Sequence, residues 1–199
     1  MTLIIEHRRN SLDDIGSVPK NNGVEIDLRG FNGEIVVSHD YGVTGILFDE
    51  WLHKFSARFF VANIKEMGIE DQVYEILSAR NMLDSYFLLD LVTPSLVRAI
   101  EKGYVCAARV SEFECLTDAV SLGSEWLWVD SFSGDWVHLE QIVKSGIARK
   151  ICIVSPELQG RRIEENFYEF EKLAELVQIG KIAAICTKYP KYWKSNTYE

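Results

Sequence analysis

Residues 86–110 read YFLLDLVTPSLVRAIEKGYVCAARV, and this stretch decides the fold. The apolar run at 86–92 has the length and composition of a strand. It stops at Thr93-Pro94, an N-cap residue before a proline at the first helical position, where the missing N–H costs nothing. Apolar residues then recur at i, i+3, i+4 spacing through 94–103, one face of a helix, and Gly103 closes it. A second strand-like run, VCAARV, follows at 105–110. Strand, helix and strand in that order imply parallel pairing through a right-handed crossover.

The same alternation extends in both directions. Further strand-like runs lie at 3–8, 24–30, 59–65, 126–132, 150–156 and 183–190, with helical spacing at 70–80, 111–123 and 135–146. Ser111 followed by Glu114 makes a capping-box pattern, and Gly123 and Gly146 stand at helix C-termini. The order breaks once. Residues 24–40, VEIDLRGFNGEIVVSHD, hold two strands joined around Asn32-Gly33, a strong hairpin signal. The pattern predicts an α/β fold, a compact (β/α)8 TIM-type barrel with a small β-hairpin insertion after strand 2. At about 25 residues per unit, such a barrel sits at the lower edge of its size range. Segment 9–23 is polar and contains Pro19, so the first crossover helix is missing or shrinks to one turn. An open doubly wound sheet fits the same pattern. No linker or composition shift divides residues 1–199, which predicts a single domain.

Composition excludes several classes. A chain of 199 residues that is 47% hydrophobic with 4 prolines is not disordered. Thirty acids against 21 bases give a net charge of −9, without the basic footprint that nucleic acid or anionic lipid requires. No window approaches the run of about 18 apolar residues that a membrane span needs. The start, MTLIIEHRRN, reads as a strand and not as a signal peptide. Cys106, Cys115, Cys152 and Cys186 lack metal-ligand spacing, and three of them lie in apolar runs. A reduced, cytoplasmic protein is the expectation.

In a parallel barrel, chemistry collects at the C-terminal ends of the strands. Those ends carry His7-Arg8, Glu25 and Asp27, His39-Asp40, Asn63 and Lys65, Asp90, Arg109, Asp130 and Lys188. Glu25 and Asp27 are two apart, so both point to one side of a strand and repel unless neutralised. A hard divalent cation, Mg²⁺ or Ca²⁺, is one resolution; salt bridges to Arg8, Arg29 or Lys65 are the other. Asp90, Arg109, Glu112 and Asp130 stand where substrate-contacting groups would stand. Trp126, Trp128, Trp136 and Phe132 read as core and helix packing, His53 and His138 as ordinary helix residues, and the acidic helix around 164–175 as a solvated face.

HRRN at the end of the first strand, the GVEIDLRGFNGEIVVSHD block and NIK at 63–65 together resemble the glycerophosphodiester phosphodiesterase family. The match covers residues 4–40 and 59–65, and CTKYP loosely resembles that family's closing strand end. The resemblance implies a barrel that hydrolyses a small soluble phosphodiester. It implies His7 and His39 as the acid/base pair, Glu25, Asp27 and Asn63 around a divalent cation, Mg²⁺ or Ca²⁺, and Arg8 and Lys65 facing the phosphate. The chain departs from the family pattern at Arg9, where a glycine is usual, at Asn63, where a third carboxylate is usual, and at Lys188, where an aspartate is usual. Asn63 costs the site one negative charge and weakens the expected metal binding. A phosphate-ligand binding or regulatory protein on the same barrel, and an unrelated α/β protein, are the competing readings.

Overall fold

Each apolar run is too short for a helix and rich in β-branched and aromatic residues, so each becomes a strand, with the amphipathic segments between them helical. The computed structural model describes residues 2–117, 122–147 and 149–197. In chain order its elements are β1 (Leu3–Glu6), α1 (Leu12–Gly16), β2 (Gly23–Phe31), β3 (Glu34–Val37), β4 (Ile46–Leu47), α2 (Phe48–Lys54), β5 (Phe59–Ile64) and α3 (Glu70–Ala79). There follow β6 (Tyr86–Leu89), α4 (Thr93–Glu101), β7 (Ala107–Val110), β8 (Trp126–Val129), α5 (Val137–Ser145), β9 (Lys150–Val154), α6 (Phe167–Gln178), β10 (Ala184–Thr187) and α7 (Pro190–Thr197). Among the described residues no helix is long and apolar enough to cross a membrane. Tertiary contacts divide the chain into two units, His7–Ala107, and Met1–Glu6 with Ala108–Glu199.

In the unit His7–Ala107, β2 is the spine. It runs parallel to β5, pairing Asp27 with Asn63, and β5 runs parallel to β6. A single parallel bridge, Leu88 to Cys106, continues the order. Beyond Gly30, β2 turns through Asn32 and Gly33 (φ 52° and 83°) and returns antiparallel as β3, the predicted hairpin. The two-residue β4, which no alternation signalled, adds a third strand to it. Buried Phe48, Trp51 and Phe60 pack under this sheet with ring centroids 6.3–6.4 Å apart. The first crossover is the expected single turn: α1 has five residues, buries only Ile15 and is closed by a Ser11–Asp14 capping box. Helix α4 begins one residue earlier than its sequence suggests. Thr93 is already helical and Val92 is the N-cap with no side-chain cap bond. Pro94 in the first turn has no N–H to satisfy, which lowers the need for a hydroxyl cap.

In the unit of Met1–Glu6 and Ala108–Glu199, β1 pairs parallel with β10, β10 with β9, and β9 with β8. β7 lies beside β8, where the Asp130 N–H donates to the Val110 carbonyl at 2.9 Å. Trp126, Trp128 and Trp136 are buried, as packing residues should be. Phe132 is not. It is exposed and sits against exposed Phe113, with ring centroids 5.6 Å apart. The acidic helix starts at Phe167, later than 164; its acids Glu171 and Glu175 are on a solvated face, while Phe170, Leu173, Ala174 and Val177 are buried on the other. The helix expected over 111–123 falls partly on residues 118–121, outside the described residues. The Ser111 hydroxyl accepts from the N–H groups of Phe113 and Glu114 at 3.1 and 3.2 Å, and helical residues begin at 116.

Candidate active site

Alternation along β2 sends Val24, Ile26 and Leu28 into one apolar layer and Glu25 and Asp27 to the opposite side. Both acids are 1% exposed, so their charge must be met inside the protein. Four residues after β1 do much of this. Arg8 adopts a left-handed backbone (φ 53°) and its N–H donates to Glu25 Oε2 at 2.8 Å. Its guanidinium Nε lies 3.5 Å from Asp27 Oδ2. Asn10 clasps Asp27 twice, its Nδ2 donating to Oδ2 at 2.8 Å and its Oδ1 accepting the Asp27 N–H at 3.0 Å. His7 Nε2 stands 3.8 Å from Glu25 Oε2. Trp51 holds this segment in place by donating its indole N–H to the Arg9 carbonyl at 3.0 Å.

The neighbouring strand supplies the rest. Asn63 Nδ2 donates to Glu25 Oε1 at 2.8 Å, and Lys65 Nζ lies 3.4 Å from both Asp27 Oδ1 and Asp90 Oδ2. Burial, then the Asp27 charge, push the Glu25 carboxyl up to about 7, against the hydrogen bonds from Asn63 and the Arg8 backbone. His7, Arg8, Glu25, Asp27, Asn63 and Lys65 therefore form one cluster, with Asp90 at its edge.

His39 stands outside the bonded cluster. The Ser38 N–H donates to the Asp27 carbonyl at 2.9 Å, which puts His39 at the end of β3 beside β2. Its ring Nδ1 pairs with Asp40 Oδ1 at 2.8 Å, and among the described residues no hydrogen bond or ion pair joins it to Glu25 or Asp27. That hydrogen bond, with the His39 charge, holds the Asp40 carboxyl below its ordinary range. Arg29 does not neutralise the acidic pair. Its guanidinium donates to the carbonyls of His39 (3.1 and 3.0 Å) and Lys65 (3.0 Å), tying the ends of β2, β3 and β5.

Ion pairs to Arg8 and Lys65 thus meet part of the acidic charge. Among the described residues no group of three or more His, Cys, Asp or Glu side chains could hold a metal ion. The hard oxygen set is Glu25, Asp27 and Asn63, whose Oδ1 is buried with no hydrogen-bond donor. Two carboxylates and an unsatisfied carboxamide oxygen suit Mg²⁺ or Ca²⁺ by ligand type, and water would complete the shell.

Sequence reasoning missed Asn10, although it lies in the quoted HRRN and stands as far before Asp27 as Arg8 stands before Glu25. In the other unit, the expected substrate-contacting side chains are engaged internally. Asp130 pairs with Arg109 and accepts from Trp128 Nε1 at 3.2 Å and Gln159 Nε2 at 2.9 Å. Glu112 accepts from the N–H groups of Phe132 and Ser133 and from the Ser131 and Ser133 hydroxyls, at 2.5–3.0 Å. The Lys188 N–H donates to Glu157 Oε1 at 2.8 Å, and its side chain is exposed.

No protein-family model matches the sequence, and neither does any curated protein. Solved structures do match. A glycerophosphodiester phosphodiesterase from Thermotoga maritima superposes with a TM-score of 0.73 at 16% identity, covering 98% of each chain. One from Parabacteroides distasonis gives 0.70 at 12% identity, over 99% of this chain and 97% of that one. An Oleispira antarctica phosphodiesterase, solved with the product sn-glycerol-3-phosphate, gives 0.69 at 16% identity over 99% and 97%. The chain therefore has, over its whole length, the fold of the glycerophosphodiester phosphodiesterases, a (β/α)8 TIM-type barrel.

Proposed function

We propose that this protein hydrolyses a small soluble phosphodiester of the glycerophosphodiester kind. The observation that carries the reading is the cluster of His7, Arg8 and Lys65 around two buried carboxylates, on the fold of those phosphodiesterases. Arg8 and Lys65 are the cations that would meet the phosphoryl oxygens, and their own carboxylate partners hold them in position. Asp40 orients His39 by accepting from Nδ1–H, which leaves Nε2 to accept a proton from the attacking hydroxyl or water. His7, beside Glu25, would then protonate the leaving oxygen. A divalent cation on Glu25, Asp27 and Asn63 Oδ1 would add positive charge against the phosphoryl oxygens. Free thiols at all four cysteines, three of them buried, support a reducing compartment such as the cytoplasm.

The test is turnover of glycerophosphodiesters with Mg²⁺, Ca²⁺ or chelator. His7→Ala and His39→Ala should each lower kcat by about 10²–10⁴-fold, and the double variant should be little worse than either single one. Asp40→Asn should shift the pH profile of kcat/KM, which a purely structural role would leave in place. The second reading, a phosphate-ligand binding protein, is favoured by one observation: all four carboxylate oxygens of Glu25 and Asp27 already face nitrogen groups, from Arg8, Asn10, Asn63 and Lys65. Phosphate binding without turnover of any diester would select it.

A further inference from the structure

His39 and Lys65 come from different strands, and each lies just past the end of the one that delivers it. Lys65 is the first residue beyond β5. On the other side, the Ser38 N–H bonds the Asp27 carbonyl of β2, and residues 39–45 then leave the sheet until Ile46 pairs with Val37. Within this loop the His39 side chain is 43% exposed and that of Asp40 76%. A pair so exposed orients the ring without anchoring the chain. The far end of the loop is pressed onto β3 at Gly45. A Cβ there would come within 2.5 Å of the Val37 carbonyl oxygen, which leaves no room for a side chain. The near end, which carries the imidazole, needs its own tie.

Arg29 supplies it. The residue follows Glu25 and Asp27 at the same period of two along β2, yet its guanidinium meets backbone carbonyls and not the acids. Nε and Nη2 both donate to the His39 carbonyl, at 3.1 and 3.0 Å, and Nη1 donates to the Lys65 carbonyl at 3.0 Å. The Tyr41 ring, two residues past His39, lies over the guanidinium with its centroid 5.9 Å from Cζ. A guanidinium is planar and donates from several edges, so each edge takes one carbonyl and the spacing between the two is set by the rigid fork. An ammonium donates from a single atom and cannot reproduce that spacing. We infer that Arg29 is a positioning residue, which through these two carbonyls sets the place of the His39 imidazole relative to Lys65 without touching the substrate. This rests on the phosphodiesterase reading above.

Two variants separate the fork from the charge. Arg29→Lys keeps the charge and loses the fork, and Arg29→Ala loses both. Carbonyl ¹³C NMR of the full-length protein reads the tie without substrate. The His39 and Lys65 carbonyl resonances should both move upfield in Arg29→Ala, and at least one of them in Arg29→Lys. In turnover of glycerophosphodiesters each variant should lose about 10²-fold, in kcat more than in KM, with Arg29→Lys no better than Arg29→Ala. Guanidinium chloride at millimolar concentration should restore activity to Arg29→Ala and leave wild type unchanged. A residue that only braced the fold would lower the urea midpoint and spare kcat of the folded protein. If Arg29→Ala does not fold, Arg29→Lys carries both measurements. Wild-type kcat in Arg29→Lys, a loss confined to KM, or a folded Arg29→Ala that guanidinium does not rescue overturns the inference. Wild type that cleaves no diester removes the phosphodiesterase reading instead; the carbonyl shifts then decide alone, their presence keeping the tie and their absence overturning it.

Discussion

Arg8 and Asp90 both hold left-handed backbone, at φ 53° and 63°; Arg8 meets the acidic pair and Asp90 meets Lys65. Non-glycine residues pay about 1–3 kcal/mol for such strain, and here it turns the Arg8 N–H onto Glu25. Asn10 contributes differently, by satisfying Asp27 on backbone and side chain at once. Asn10→Ala should cost about 1–3 kcal/mol in urea unfolding, because it strips a donor from a buried carboxylate and an acceptor from the Asp27 N–H. Asn63→Asp puts a third carboxylate against Glu25. Without metal it should destabilise the fold, and with Ca²⁺ or Mg²⁺ it should bind more tightly than wild type by calorimetry. The Glu25–Asp27 pair was legible in the sequence because a period of two puts i and i+2 on one side of any strand. Asn10 was not, since nothing in a loop's sequence says which buried acid it will fold back upon.

At the scale of elements, the β2–β3 hairpin depends on Asn32 and Gly33 both at positive φ. Gly33→Ala meets open space, so its cost is the backbone alone, about 1–2 kcal/mol in thermal or urea unfolding. The loop after β8 is pinned by Glu112. Burial alone would raise that carboxyl, but donors from Ser133 and Phe132 outweigh it and hold it down at about 2. A carboxyl depressed in the folded state contributes stability above its ordinary value of 4.5, and loses it as pH falls toward 2. Wild type should therefore lose stability faster than Glu112→Gln across that acid range. Equal slopes would mean that the loop bonds do not survive in solution. The asparagine-glycine turn was readable from two letters, whereas the Glu112 clasp depends on a loop 20 residues further on.

At the scale of the whole molecule, the four cysteines give a simple check. Only Cys115 is exposed, so a thiol reagent should label one cysteine in the native protein and four after unfolding. Fewer than four would mean a disulfide. The alternation of strands and helices determined by itself the fold class, the hairpin and the shortened first crossover, because apolar periodicity and turn residues act within a few positions of where they stand. It also placed His7, Arg8, Glu25, Asp27 and Lys65 at strand ends. Only the tertiary structure decided how the acidic charge is met. Arg8, Asn10, Asn63 and Lys65 share it, Arg29 binds carbonyls, and Asp130 and Glu112 serve their own loops. The physical reason is range. Backbone preference is written locally, but a buried charge is satisfied by whichever donors the packed strands bring within about 3–4 Å, and those come from distant parts of the chain.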